Sequence, residues 1–257
     1  MGATTVAWPS LEGKVALVTG GSRGLGREMV HAFARAGADV VIASRKLEAC
    51  EEVARQVRSA TGRRALPVSC HVGRWTDVER LAAGAFEEFG RVDVLVNNAG
   101  MSPLYPRLVD VSEDLWDKVL AVNLKGPFRL CAVVGSRMAE GDGGSIINVS
   151  SVAAIRPTPG ELPYAAAKAG LDVLTAGFAR AYGPKVRVNS IMAGPFLTDI
   201  SKAWDADVFA GMATSLPLAR GGQPPEIVGT ALYLASEASS FTTGSVVRVD
   251  GGSAVAR

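Results

Sequence analysis

Short apolar runs rich in β-branched residues alternate with longer stretches of helical periodicity along the whole chain, and this alternation narrows the fold more than any other feature. The runs at 15–19, 40–43, 65–69, 94–96, 145–149, 186–191 and 246–249 read as strands. They are almost continuously apolar, as strands are when helices cover both faces of a parallel sheet. The stretches 27–36, 47–58, 77–89 and 115–137 carry apolar residues at helical spacing with charges opposite. Strand–helix alternation of this kind predicts an α/β protein built on a doubly wound parallel sheet of about seven strands. No linker, repeat or low-complexity run divides residues 1–257, so they read as a single domain. Its halves fall at about 11–150 and 151–257.

The balance of charge excludes several function classes. The chain is 48% hydrophobic and 20% charged, with a net charge of +2 and no basic block. A protein that wraps nucleic acid or docks on anionic lipid shows a stronger basic bias. The three cysteines, Cys50, Cys70 and Cys131, are widely spaced and form no CxxC pair. Neither a disulfide framework nor a metal site is expected from them. The N-terminus lacks the pattern of a signal peptide, and no apolar stretch reads as a bilayer span. The expected location is cytoplasmic.

After the first strand comes Thr19-Gly20-Gly21-Ser22-Arg23-Gly24-Leu25-Gly26, and then a helix. Glycines here allow a tight turn and a close approach of backbone to a pyrophosphate. The helix N-terminus adds free N–H groups and a positive dipole. A glycine cluster alone could be only a turn; its place between a first strand and an amphipathic helix reads as a Rossmann-type dinucleotide site. The second strand then bears on the choice of cofactor. It ends in Ser44-Arg45-Lys46, with no carboxylate to hold ribose hydroxyls or to repel a 2′-phosphate. Arg45 can grip such a phosphate through its planar fork, with Arg23 as a second contact. The expected cofactor is therefore NADP(H), with NAD(H) possible.

Tyr164-Ala-Ala-Ala-Lys168 opens a helix, so Tyr164 and Lys168 share one face. A free phenol has a pKa near 10, and a nearby ammonium favours its ionised form. Ser151 closes the fifth strand, where its hydroxyl can bond a carbonyl oxygen that gathers charge. The set of a glycine turn, Asn97-Asn98-Ala99-Gly100 after the fourth strand, a serine at the end of the fifth and then Tyr-x-x-x-Lys is far more specific than any member alone.

On these motifs the chain resembles a classical short-chain dehydrogenase/reductase from residue 14 to residue 252. The matching positions also include Asn123, Asn189, Thr243-Gly244 and Val249-Asp250-Gly251-Gly252. The resemblance implies hydride transfer between a nicotinamide and a ketone/secondary-alcohol pair. It makes Tyr164 the acid/base and Ser151 the group that orients substrate. Lys168 would hold the nicotinamide ribose and depress the Tyr164 pKa. Asn123 would kink its helix and anchor a proton-relaying water. Cofactor contacts would come from Gly20, Ser22, Arg23, Gly24, Leu25, Gly26, Ser44, Arg45, Lys46, His71, Val72, Asn98, Ala99, Gly100, Tyr164, Lys168, Gly194 and Thr198. It also implies a homotetramer or homodimer paired through helices at 115–137 and 162–181. Ala165, Ala166, Ala169 and Ala176 would either line that pairing or pack within the subunit.

The chain departs from the family pattern in three places. Ala193-Gly194-Pro195 puts the proline one position late. His71 stands where the family often has an aspartate, and either contacts adenine or packs in its loop. The run from Arg156 to Pro163 is unusually rich in proline and should be a rigid pocket wall; Arg156 and Glu161 within it either bind a polar substrate or are rim charges. Met101, Leu104, Ala153, Arg156, Pro195, Phe196 and Trp204 are the candidate substrate pocket, and 199–216 is either a lid or a core-packing insertion. The leading function is an NADP(H)-dependent carbonyl reductase acting on a small molecule. A 3-oxoacyl-thioester reductase, an NAD-dependent alcohol or sugar-acid dehydrogenase and, remotely, a non-catalytic cofactor sensor are the alternatives.

Overall fold

The computed structural model describes residues 9–198, 209, 211 and 213–255. Its strands are β1 (Val15–Thr19), β2 (Asp39–Ser44), β3 (Ala65–Ser69), β4 (Val94–Asn97), β5 (Gly144–Ser151), β6 (Val186–Ala193) and β7 (Val246–Val249). They form one sheet in the order β3-β2-β1-β4-β5-β6-β7, with every neighbouring pair parallel. The helices are α1 (Gly24–Arg35), α2 (Leu47–Thr61), α3 (Trp75–Phe89), α4 (Glu113–Leu120), α5 (Gly126–Glu140), α6 (Leu162–Tyr182) and α7 (Val228–Ala235). The chain order reverses between β1 and β4, and in sheets of this kind ligands bind beyond the strand C-termini at that switch.

Alternate strand residues feed two cores. Ala16, Val18, Val40 and Ile42 pack under α1, α2 and α7, whose Phe33, Val53 and Leu234 are buried beside them. Leu17, Val41 and Leu95 point the other way, into a cluster with Leu81 of α3 and Leu130 of α5. The period of two along a strand explains why each run reads as continuously apolar. Phe33, Leu17 and Leu95 are fully buried, and each such side chain contributes about 1.5–3 kcal/mol.

The stretch expected as one helix at 115–137 is interrupted. A π-helical turn at Ala121–Lys125 separates α4 from α5. The run Glu113–Glu140 is also long and apolar enough to cross a bilayer, which the reading of the sequence had not found. Val119, Leu130, Cys131 and Val134 are buried in the fold, the arrangement of a core helix. Of the expected lid, only 209, 211 and 213–216 fall among the described residues; Trp204 lies outside them.

Candidate active site

The glycine turn is shaped by contacts that no larger side chain fits. A Cβ on Gly26 would stand 2.3 Å from the Gly20 carbonyl oxygen, and Gly20 itself has φ +64° beside the Asn98 amide. Helix α1 starts with no side-chain cap from Arg23 and no acidic residue in its first turn. Its first N–H groups are therefore placed to meet an anion. Gly21 N–H donates to the Ala43 carbonyl at 3.2 Å, which sets the end of β2, and so Ser44, Arg45 and Lys46, beside the turn. Arg45 and Lys46 are exposed, while Ser44, Ser22 and Leu25 are partly buried. Thr198 also reaches the turn: a Cβ on Gly24 would touch its methyl at 3.6 Å. These residues fit a dinucleotide pyrophosphate and an added phosphate.

Thr19 holds the next segment in place. Its hydroxyl accepts the Asn98 and Ala99 N–H groups at 3.0 and 3.1 Å and donates to the Val96 carbonyl at 3.2 Å. The Asn98 amide returns to the Thr19 carbonyl at 2.9 Å. Gly100 follows, and a Cβ there would lie 2.9 Å from Asn123 Oδ1 and 3.7 Å from Lys168 Nζ. Gly100, Asn123 and Lys168 thus meet at one point.

Asn123 sits inside the π-helical turn, fully buried. Its amide nitrogen donates to the Val119 and Met101 carbonyls at 2.9 and 2.8 Å, and its oxygen accepts the Met101 N–H at 3.1 Å. A π-helical turn leaves backbone groups out of the helical ladder and is frequent at functional sites. Here it ties the helix to the loop that follows Gly100.

Ser151 ends β5 and accepts the Ala153 N–H at 3.2 Å. Tyr164 is the third residue of α6, and the Ser151 hydroxyl hydrogen-bonds its phenol. Tyr164 as a residue is only partly buried. Burial is nonetheless the main cause that pushes its phenol up to about 12; Ser151 opposes the rise and Glu161 adds to it. Lys168 lies one turn on, buried, with Nζ donating to the Val149 carbonyl at 2.7 Å and standing 5.6 Å from the Tyr164 ring centre. Burial lowers its pKa to about 8, and Asp172 counters part of that. The expected depression of Tyr164 by Lys168 is absent from this arrangement: burial, Ser151 and Glu161 set the phenol's shift, and the ammonium is directed at a main-chain carbonyl.

Asp172 was not singled out from the sequence. Its carboxylate accepts the Ser150 and Ser190 hydroxyls at 3.0 and 2.8 Å, and burial raises its pKa. Its signal in the sequence is a lone charge one helical turn past Lys168 within an apolar run. The Tyr105 hydroxyl accepts the Leu162 N–H at 2.9 Å and donates to the Pro159 carbonyl at 2.7 Å.

The expected pocket residues divide. Met101 is pinned beside Asn123, and Leu104 is 61% exposed in the same loop. Arg156 reaches the Ser253 carbonyl at 3.4 Å, across the catalytic half. Ala153 is buried beside Ser151, whereas Phe196 belongs to the core cluster with Ile227 and Ile191. Pro195 is buried with it, and Gly194 N–H donates to the Val249 carbonyl at 3.0 Å. Glu161 accepts from the Thr158 N–H and hydroxyl, bracing the turn before α6. Val72 is buried, and His71 lines a groove with Ala121 and Leu124, its Nδ1 enclosed without a partner. Among the described residues, no group of three His, Cys, Asp or Glu could hold a metal ion.

Comparison with known proteins agrees with this geometry. The family described as Enoyl-(Acyl carrier protein) reductase matches residues 20–254. The human protein "Dehydrogenase/reductase SDR family member 4" is 37% identical over 249 residues, 94% of this chain and 88% of that protein. The "3-oxoacyl-[acyl-carrier-protein] reductase FabG" of Chlamydia trachomatis is 37% identical over 245 residues, 95% of this chain and 98% of that protein. The solved structure of a gluconate 5-dehydrogenase from Burkholderia cenocepacia, in complex with NADP and tartrate, superposes with a TM-score of 0.91 at 33% identity, covering 97% of this chain and 98% of that one. The chain belongs to the short-chain dehydrogenase/reductase family of oxidoreductases.

Proposed function

We propose that the protein is an NADP(H)-dependent carbonyl reductase that interconverts a ketone and a secondary alcohol. The observation that carries the reading is Tyr164, a protonated phenol hydrogen-bonded to Ser151 on a residue only partly buried at the sheet's C-terminal edge. NADPH, when bound, supplies the hydride. Tyr164 donates its proton to the carbonyl oxygen, and Ser151 bonds that oxygen as charge develops on it. Lys168, still an ammonium at neutral pH, lies beneath Tyr164 and opposes negative charge there once the proton has left. Asn123 holds the loop after Gly100 against the site.

Arg45, Lys46 and Arg23 around the glycine turn support NADP(H) over NAD(H), because a 2′-phosphate would meet cations there and no carboxylate at the end of β2. The NADP complex of the Burkholderia relative points the same way. The chlamydial relative supports a second reading, reduction of 3-oxoacyl thioesters. A homodimer or homotetramer in the cytoplasm completes the proposal. Its pairing face would be an apolar groove of about 990 Å³ lined by Leu120, Leu124, Phe128 and Val173 on α4, the π-helical turn, α5 and α6.

The experiment is oxidation of NADPH, with NADH in parallel, against ketones, diketones and 3-oxoacyl thioesters. Turnover of ketones with NADPH supports the reading. Faster turnover of thioesters moves the assignment to the second, and a preference for NADH overturns the cofactor.

A further inference from the structure

The helix that carries Tyr164 and Lys168 has no cap of its own. Glu161, at the N-cap of α6, makes no side-chain bond to the first turn, and the opening N–H groups of a helix lack intrahelical partners. One of them, Leu162 N–H, is taken by the phenol oxygen of Tyr105, 57 residues upstream in the chain. The same hydroxyl donates to the Pro159 carbonyl, so a single oxygen bridges the turn before α6 and its first residue.

Tyr105 stands in the loop between β4 and α4, and that loop is anchored at both ends. At its start, Met101 is held by two bonds to Asn123. At Tyr105 it is held to α6. The stretch between them, Ser102-Pro103-Leu104, thus spans from the turn bearing Asn123 to the helix bearing Tyr164. Pro103 and Pro106 flank Tyr105 closely and restrict the backbone on both sides. Leu104, 61% exposed, sits in the middle of the span.

We propose that Tyr105 is a positioning residue whose phenol clasps this loop to the first turn of α6 and so fixes the placement of Tyr164. Its kinetic consequence rests on the carbonyl-reductase reading above; the clasp itself does not.

The test is Tyr105→Phe, which deletes one oxygen and keeps the ring. Hydrogen exchange reads the clasp without any turnover: protection should fall at the Leu162 amide and in 101–107 while the rest of α6 and the melting temperature hold. In ketone reduction, kcat for a compact ketone should fall about fivefold, the factor that one lost capping bond represents when it is felt wholly at Tyr164. KM for that ketone and NADPH affinity, measured by titration, should not change. Unchanged protection at Leu162 overturns the clasp. Lost protection with an unchanged kcat, or with a loss of kcat that follows a lowered melting temperature, overturns its role in positioning. A wild-type protein that turns over no ketone but shows the exchange result refutes the reaction reading and leaves the clasp standing.

Discussion

Lys168→Met isolates the free-energy cost of burying a charge in the site. Met fills a similar volume without the ammonium. In the folded protein Lys168 titrates near 8, against 10.5 for the ordinary group, chiefly because it is buried. A lowered pKa means that the folded state binds fewer protons than the unfolded chain between pH 8 and 10.5. Stability therefore rises with pH across that window, and the whole cost is felt below pH 8. A shift of this size corresponds to about 3 kcal/mol at pH 7, of which about 2 kcal/mol is relieved by pH 9.5. The lost bond to the Val149 carbonyl offsets about 1 kcal/mol of the gain in the variant and does not depend on pH. Cys70, Cys131 and Tyr164, all pushed up to about 12, destabilise the fold as pH climbs past their ordinary values. They are common to both proteins and cancel in the difference. Urea denaturation of both proteins at pH 7 and 9.5 measures it. The wild type should gain about 2 kcal/mol on the variant between the two pH values. Parallel pH profiles would refute the argument that burial lowers the Lys168 pKa.

Two further substitutions test the cofactor cradle. Arg45→Ala should weaken NADPH about 30-fold, the worth of a charge-assisted bond of about 2 kcal/mol, and leave NADH nearly untouched; equal weakening by isothermal titration would remove Arg45 from the phosphate. Gly26→Ala places a methyl 2.3 Å from the Gly20 carbonyl oxygen, so overpacking should cost about 1–3 kcal/mol in denaturation and weaken both cofactors together.

How much of this was legible in the sequence depends on whether the signal was local. The five inner strands stood out because both faces of a covered parallel sheet are apolar, while the edge strands β3 and β7 are only partly covered and stood out by their apolar composition. β5 runs on to Ser151 where the apolar run stops at Val149, because its ladder with β6 continues through polar Ser150 and Ser151. The π-helical turn was invisible to periodicity, since apolar spacing carries on through it; the resemblance had marked Asn123 as the kink, and the structure adds the bonds to Val119 and Met101. Phe196 was read as pocket surface, and it both packs in the core cluster and lines a small cavity with Pro195 and Leu216. The two bonds of Tyr105 left no mark in the sequence, because its partners lie more than 50 residues away and are main-chain groups, which carry no pattern.

The central claim is that Tyr164 moves the proton, and Tyr164→Phe tests it by removing only the hydroxyl. Turnover of the best ketone should drop at least 100-fold, the scale of lost general acid catalysis, while NADPH binds as before. Turnover that survives the change, with the cofactor still bound, would contradict the account.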